Sequence, residues 1–250
     1  MIHGRFSKIL ISKTDNDENI NNNSWFQVRY ANDSLSRTFE NIEVKYLTGS
    51  LASLGNLRGV EKVEGGISGI IADGRTEGLF LKSLFLSENV IPAGTKFKHS
   101  FSLNNDISAT NITLDIVKDI QLEKRLIKEY RVSKMNFKIE PNSILVYDVE
   151  GKAKKQEIIT NNITFSKYDM FVIPSWNVSI KIDGTTYKPK SIEFTYEEAT
   201  DYDYRVGSRQ PINITRGVVN SSVKVDFLLS NESILFRLSL IHISEPTRPY

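Results

Sequence analysis

From Val178 to Leu229 hydrophobic and polar positions alternate with a period of two. Val178, Ile180 and Ile182 alternate with Ser179, Lys181 and Asp183, the pattern of a strand with one buried face. Asp183-Gly184 predicts a hairpin, because glycine accepts a positive φ without steric cost. Ile192, Phe194 and Tyr196 share one face of the next strand. The segment Glu197–Gly207 reads as a polar connection, with Glu197, Glu198, Asp201 and Asp203 beside Tyr202 and Tyr204. Ile212 and Ile214 resume the alternation, Arg216-Gly217 breaks it, and Val223, Val225 and Phe227 complete it.

The rest of the chain follows the same rule. Ile2–Ile11 is predicted as a first strand, with Phe6 and Ile9 inward. Thr14–Ser24 is polar, asparagine-rich and aperiodic, which predicts a loop or arm. Trp25–Tyr30 and Phe39–Gly49 read as strands. A loop lies between Gly49 and Gly59. Val60–Ala72 carries Val63, Ile67, Ile70 and Ile71 among Gly65, Gly66 and Gly69, and glycines inside a strand pattern predict bulges or close backbone approach. Thr76–Glu88 predicts the one clear helix: Leu79, Phe80, Leu81 and Leu84 share a face at helical spacing, with Thr76 or Asp73 as its cap. Pro92-Ala93-Gly94 is a turn. Phe97–Leu103 is a strand, with His99 placed opposite Phe97 and Phe101 on the solvent face. Ile112–Val117 is a strand. Gln121–Tyr130 fits a short helix through Leu122, Leu126 and Tyr130, or a turn and strand entry. Val132–Ile139 and Ile144–Gly151 are strands, and Lys152–Gln156 reads as a solvated connection. Arg58-Gly59-Val60 is echoed by Arg216-Gly217-Val218.

The count is ten to thirteen short strands and one helix, which predicts a mainly β fold, an antiparallel sandwich or barrel. The 250 residues suffice for one large β domain, and 40% hydrophobic content fills its core. A net charge of +2 from 32 basic and 30 acidic residues lacks the basic excess of an obligate nucleic-acid binder. There are no cysteines, so disulfides and thiolate metal sites are excluded. His3, His99 and His242 stand apart, and no phosphate loop or serine-nucleophile motif occurs. Glu197, Glu198, Asp201 and Asp203 sit within one segment without calcium-loop spacing, and paired catalytic carboxylates come from separate elements. The expectation is a protein that is not an enzyme and needs no cofactor or metal. The N-terminus lacks a signal-peptide pattern, and no apolar run spans a membrane.

The order of a DG hairpin, a Ser-Ile-Glu-Phe-Thr-Tyr strand, an acidic-aromatic turn, and Tyr204-Arg-Val-Gly-Ser-Arg-Gln-Pro-Ile-Asn-Ile-Thr-Arg-Gly217 resembles the C-terminal part of phage tail tube proteins. Two further stretches agree with the resemblance. Gly65–Leu86 is similar to that family's strand followed by a leucine-rich helix, and Tyr130–Val146 to its hairpin with a proline turn. The resemblance implies two packed antiparallel sheets with one flanking helix, about residues 76–88. It implies a structural virion protein that self-assembles into stacked hexameric rings, the tube through which DNA is ejected. The implied partners are the chain itself and the tape-measure, tail-terminator and baseplate proteins. DNA passes through the lumen without specific binding, and no membrane is involved. Assembly in the bacterial host cytoplasm and residence in the virion tail follow. Three loops are the expected contacts between subunits, through Asn21 and Asn22, Leu54 and Asn56, and Asp201, Tyr204, Arg205 and Arg209.

Two rival readings predict different behaviour. A related distal-tail or baseplate protein forms rings that do not extend. A glycan-binding β-sandwich module is a monomer with tryptophan platforms, but Trp176, after Ile173-Pro174, reads as a strand-entry anchor. Leu238–Tyr250, LSLIHISEPTRPY, resembles the translation of a transposase-type sequencing adaptor. The expected organisation is one tube-type domain over 1–237, cut short, and a non-native tail over 238–250.

Overall fold

A computed structural model describes residues 7–14, 24–43, 56–71, 74–94, 96–103, 113–120, 123–166, 172–182 and 184–227. In chain order these hold β1 (Ser7–Lys13), β2 (Trp25–Val28), β3 (Tyr30–Asp33), β4 (Ser36–Glu43), β5 (Asn56–Ile70), α1 (Arg75–Phe85), β6 (Leu86–Ala93), β7 (Lys96–Leu103) and β8 (Leu114–Ile120). There follow β9 (Glu123–Ile139), β10 (Val146–Ala153), β11 (Lys155–Ile159), β12 (Phe165–Ser166), a 3₁₀ turn (Ser175–Asn177), β13 (Ile180–Ile182), β14 (Thr185–Tyr187), β15 (Ser191–Asp203) and β16 (Asn213–Asp226). Among the described residues the fold is mainly β with one α-helix, as the alternation predicts.

The spine is β9. Its first half pairs with β8 and β11, and its second half with β10 and β15. The first half belongs to a sheet ordered β12-β2-β1-β8-β9, with β11 on the other side of β9; the second half belongs to a sheet ordered β16-β15-β9-β10-β5, with β3 and β4 beyond β5. The bend between them is a bulge, where an extra residue kinks one strand. Glu129 takes φ 53° there, and its N–H donates to the buried Asp115 carboxylate at 3.0 Å, which also accepts from the Thr14 hydroxyl at 2.8 Å. The main core lies between the two sheets and α1. It joins Ile9, Ile11, Leu114 and Ile127 of the first sheet to Val63, Ile67, Met135, Val149 and Tyr196 of the second, with Phe80 and Leu84 from the helix. The first sheet is also covered on its other face, by Leu10, Trp25, Val117 and Leu126 packed with Ile159, Ile163 and Phe165.

Glycines mark where backbones close up. A Cβ on Gly66 would stand 2.3 Å from the Val149 carbonyl oxygen, and one on Gly151 2.1 Å from that of Arg131, so side chains are excluded at both. The Arg-Gly-Val echo has a structural meaning. Gly59-Val60 is the bulge of β5 opposite Glu40, and Gly217-Val218 is the bulge of β16 opposite Ala199. In each, a Cβ on the glycine would lie 3.0 Å from the facing carbonyl oxygen.

Several expectations need correction. Sixteen strands are described, and β5, β9, β15 and β16 are 13 to 17 residues long rather than short. Of the two readings of Gln121–Tyr130 the strand entry holds and the helix does not: over the described residues Glu123–Tyr130 is the first half of β9, with Leu126 and Ile127 both buried. Lys152–Gln156 is not a solvated connection: Ala153 and Gln156 are buried within β10 and β11. Glu197–Asp203 is strand, not turn, and Arg216-Gly217 bulges β16 without ending it. Pairing is antiparallel except between β12 and β2, which run parallel. The helix starts after Gly74 (φ 73°) with no side-chain cap, and Thr76 lies inside it. His99 shares its face with Phe97 and Phe101, since all three have one parity on β7, and it hydrogen-bonds Glu88 at 2.7 Å. Phe6, Asp73 and residues 238–250 lie outside the described residues. Among the described residues no helix is long and apolar enough to cross a membrane.

Candidate assembly surface

The second sheet has one face against the core, except at its β16 edge where Ser221 and Val223 are exposed, and one in solvent. Cross-strand partners share a face, so the registers name its solvent side directly. It carries Asn220, Ser222 and Lys224 of β16, Glu193, Thr195 and Glu197 of β15, Lys134, Asn136 and Lys138 of β9, and Asp148 and Glu150 of β10, with one apolar residue, Val146, at its end opposite Lys138. Charges of opposite sign face each other: Glu193 between Lys224 and Lys138, and Lys134 between Glu197 and Glu150. Asn136 donates to Glu193 at 2.9 Å. The carboxylates Asp148, Glu150, Glu193 and Glu197 outnumber the ammonium groups Lys134, Lys138 and Lys224 on this face. Sequence reasoning named none of these as a surface; the signal was the polar parity of each strand, which needs the registers to become one patch.

Both lateral edges of this sheet are open among the described residues. β16 pairs only with β15, and β4 only with β5. At the β4 side, β4 and the first residues of β5 form a ribbon that stands clear of the core. Ile42 and Leu57 are directly opposite each other on it and 54% and 61% exposed. Phe39 is covered by the guanidinium groups of Arg58 and Arg37, 4.4 and 5.3 Å from the ring centre.

The Tyr204–Gly217 motif builds the connection from β15 to β16 and latches it onto β5. The Tyr202 and Tyr204 hydroxyls donate to the carbonyls of Val63 and Glu61, each at 2.7 Å. The Glu61 N–H donates to the Arg209 carbonyl at 2.8 Å. Gly207 turns at φ 94°, Ser208 exchanges hydrogen bonds with Gln210, and Pro211 is buried. Glu61, itself buried, accepts from the Gln156 N–H at 3.4 Å and from the Gln210 amide at 3.4 Å. Burial pushes the Tyr204 hydroxyl up to about 12, helped by Glu40 and Glu64, so it stays a protonated donor.

Behind the latch lies a buried charge cluster that sequence spacing could not reveal. Glu198 is paired with Arg216, whose other nitrogen donates to the Leu84 carbonyl at the end of α1, 3.2 Å away. Arg131 is buried beside them and donates to the Ile214 carbonyl. Burial lowers its pKa, and the Arg216 charge lowers it further. This cluster fixes α1 to the β15–β16 hairpin.

The expected contact residues fall into three groups. Asn21, Asn22 and Leu54 lie outside the described residues. Asn56 is exposed at the end of the ribbon, opposite Glu43. Asp201, Arg205 and Arg209 are exposed around the latch, with Arg205 3.9 Å from Asp203, while Tyr204 is half-buried and engaged internally. Trp176 is no anchor: it is 75% exposed.

A family model described as phage tail tube protein matches residues 13–239. No curated protein matches the chain.

Proposed function

The chain belongs to the phage tail tube family and is a structural component of the virion tail, and from that premise we propose that it forms stacked hexameric rings whose lumen conducts DNA during ejection. The observation that carries this reading is the second sheet, open at both lateral edges and polar on one face. An unpaired strand edge is a template for another chain. Here the two edges are different strands, β16 and β4, so the contact is heterologous, and a heterologous contact that closes makes a ring. The polar face then lines the channel. Phosphate contacts with cationic groups supply most non-specific affinity for DNA, and a wall whose lysines are each flanked by carboxylates gives DNA nothing to hold. On this reading residues 1–237 act as one tube-type unit, and Asn56, Asp201, Arg205 and Arg209 meet neighbouring subunits, with Tyr204 shaping the latch from behind. Its further partners on this reading are the tape-measure, tail-terminator and baseplate proteins. Assembly takes place in the host cytoplasm, with no catalysis and no cofactor.

Electron microscopy of the purified protein, with and without tail-initiator proteins, tests this. Hollow rings that stack into tubes are expected. Rings that never stack favour a distal or baseplate role, and a persistent monomer sinks the tube reading.

A further inference from the structure

The turn between β9 and β10, the 3₁₀ turn and the approach to β15 enclose an open groove of about 300 Å³, lined by Pro141, Asn142, Trp176, Val178, Lys188 and Lys190 among others. Trp176 is 75% exposed in it, yet the backbone that presents it is fixed. The Ser175 N–H donates to the Ser143 carbonyl at 3.0 Å, the Leu145 N–H to that of Ile173 at 2.9 Å, and the Asn177 N–H to that of Pro174 at 3.0 Å. A large indole held out by an ordered loop is the kind of residue that dominates protein interfaces.

The position of the groove says what fills it. The C-terminal end of β5 lies beside it: Ile70 pairs with Val146, and the Ile71 N–H donates to the Leu145 carbonyl. The N-terminal end of β5 is the exposed ribbon, roughly 45 Å away at about 3.3 Å per residue. The ribbon there offers the apolar pair Ile42 and Leu57, followed by Glu43, opposite in charge to Lys188 and Lys190. Knob and groove therefore stand at opposite ends of one strand. Two such ends on one chain can meet head to tail, a heterologous contact that repeats as a stack when its rotation does not close.

We propose that the Trp176 groove is the axial socket for the β4–β5 ribbon of a second copy of this chain, the contact that joins one ring to the next. The proposal rests on the tube reading above and names the residues of its stacking contact. Trp176 is its own reporter, because Trp25 is only 2% exposed and contributes a constant background. In the full-length protein, tube formation is expected to shift Trp176 emission to the blue and to abolish its quenching by iodide. Trp176→Ala is expected to melt as wild type and to form rings, but to need about thirtyfold more protein to stack, the loss of one interface hot spot, and the double variant Ile42→Ser, Leu57→Ser is expected to leave Trp176 open to iodide at concentrations that protect it in wild type. Stacking of Trp176→Ala at the wild-type concentration overturns the socket and leaves the tube intact, as does iodide quenching that persists in assembled tubes. Protection of Trp176 by chitohexaose on the unassembled protein assigns the groove to a saccharide and overturns the socket. Absence of rings in wild type removes both readings together.

Discussion

The two sheets share β9 but live in different surroundings. The first is buried on both faces: Ile9 and Ile11 look into the main core, while Leu10 packs with Trp25, Val117 and Leu126 on the far side. The second is buried on one face and polar on the other. A strand covered on both sides has every side chain committed to packing. A strand covered on one side keeps half of its positions for another task. The first sheet is thus the scaffold, and the second offers a surface.

The strongest test of this division sets one substitution in each sheet side by side. Trp25→Ala, in the far-side cluster, is expected to cost about 3–5 kcal/mol of unfolding free energy. Lys134→Ala, on the polar face, is expected to change it by less than about 0.5 kcal/mol. Urea titrations of both variants decide it, and comparable losses would erase the distinction between scaffold and surface.

The next test asks what ties the bare sheet to the helix. Arg216→Met leaves the Glu198 carboxylate buried without its partner, at an expected cost of about 3 kcal/mol. Adding Glu198→Leu is expected to recover most of that loss, and a double variant no better than the single one would remove the pair from the account. A smaller effect is expected at the latch. Tyr204→Phe deletes one hydrogen bond, worth about 1 kcal/mol, and faster hydrogen exchange of the Glu61 amide is the direct readout, since that amide bonds the loop the tyrosine holds.

The smallest effect is one of pH and belongs to the scaffold. Burial raises the Asp115 pKa, against the pull of the Glu129 amide and the Thr14 hydroxyl. A carboxyl whose pKa is higher folded than unfolded binds its proton more readily in the folded chain. Its contribution to stability is therefore greatest at low pH and declines as pH rises from about 3.9 toward the raised value. Denaturation midpoints of wild type and Asp115→Asn across that window are expected to converge or cross as the wild-type contribution falls. Parallel curves would mean that Asp115 is not the group responsible.

Much of this was legible in the chain because local chemistry forces it. Gly94, Gly184 and the Pro141-Asn142 pair turn hairpins where they stand, and Leu79, Phe80 and Leu84 can share a face only on a helix. Tyr204–Gly217 was legible as a motif but not as a latch, since the carbonyls that its tyrosines meet lie some 140 residues earlier, on β5. Alternation failed where both faces are covered. Leu126 and Ile127 are both buried, so β9 lost its period and the spacing of Leu122, Leu126 and Tyr130 fitted a helix as well as the strand entry that is found. Polarity misled where charges are paired inside. Glu198 looks like a loop residue until Arg216, reaching it from the far side of the β16 bulge, accounts for it. Trp176 misled in the other direction, because hydrophobicity alone cannot say that a large apolar residue stays exposed.

The continuity of β9 has a mechanical consequence. A strand of 17 residues that runs through both sheets is a tie bar between the scaffold and the working surface. Tension along it loads the hydrogen bonds to β8, β11, β10 and β15 in shear, many at once, so none can be opened singly from an end. The sheets cannot slide past each other without stretching that backbone.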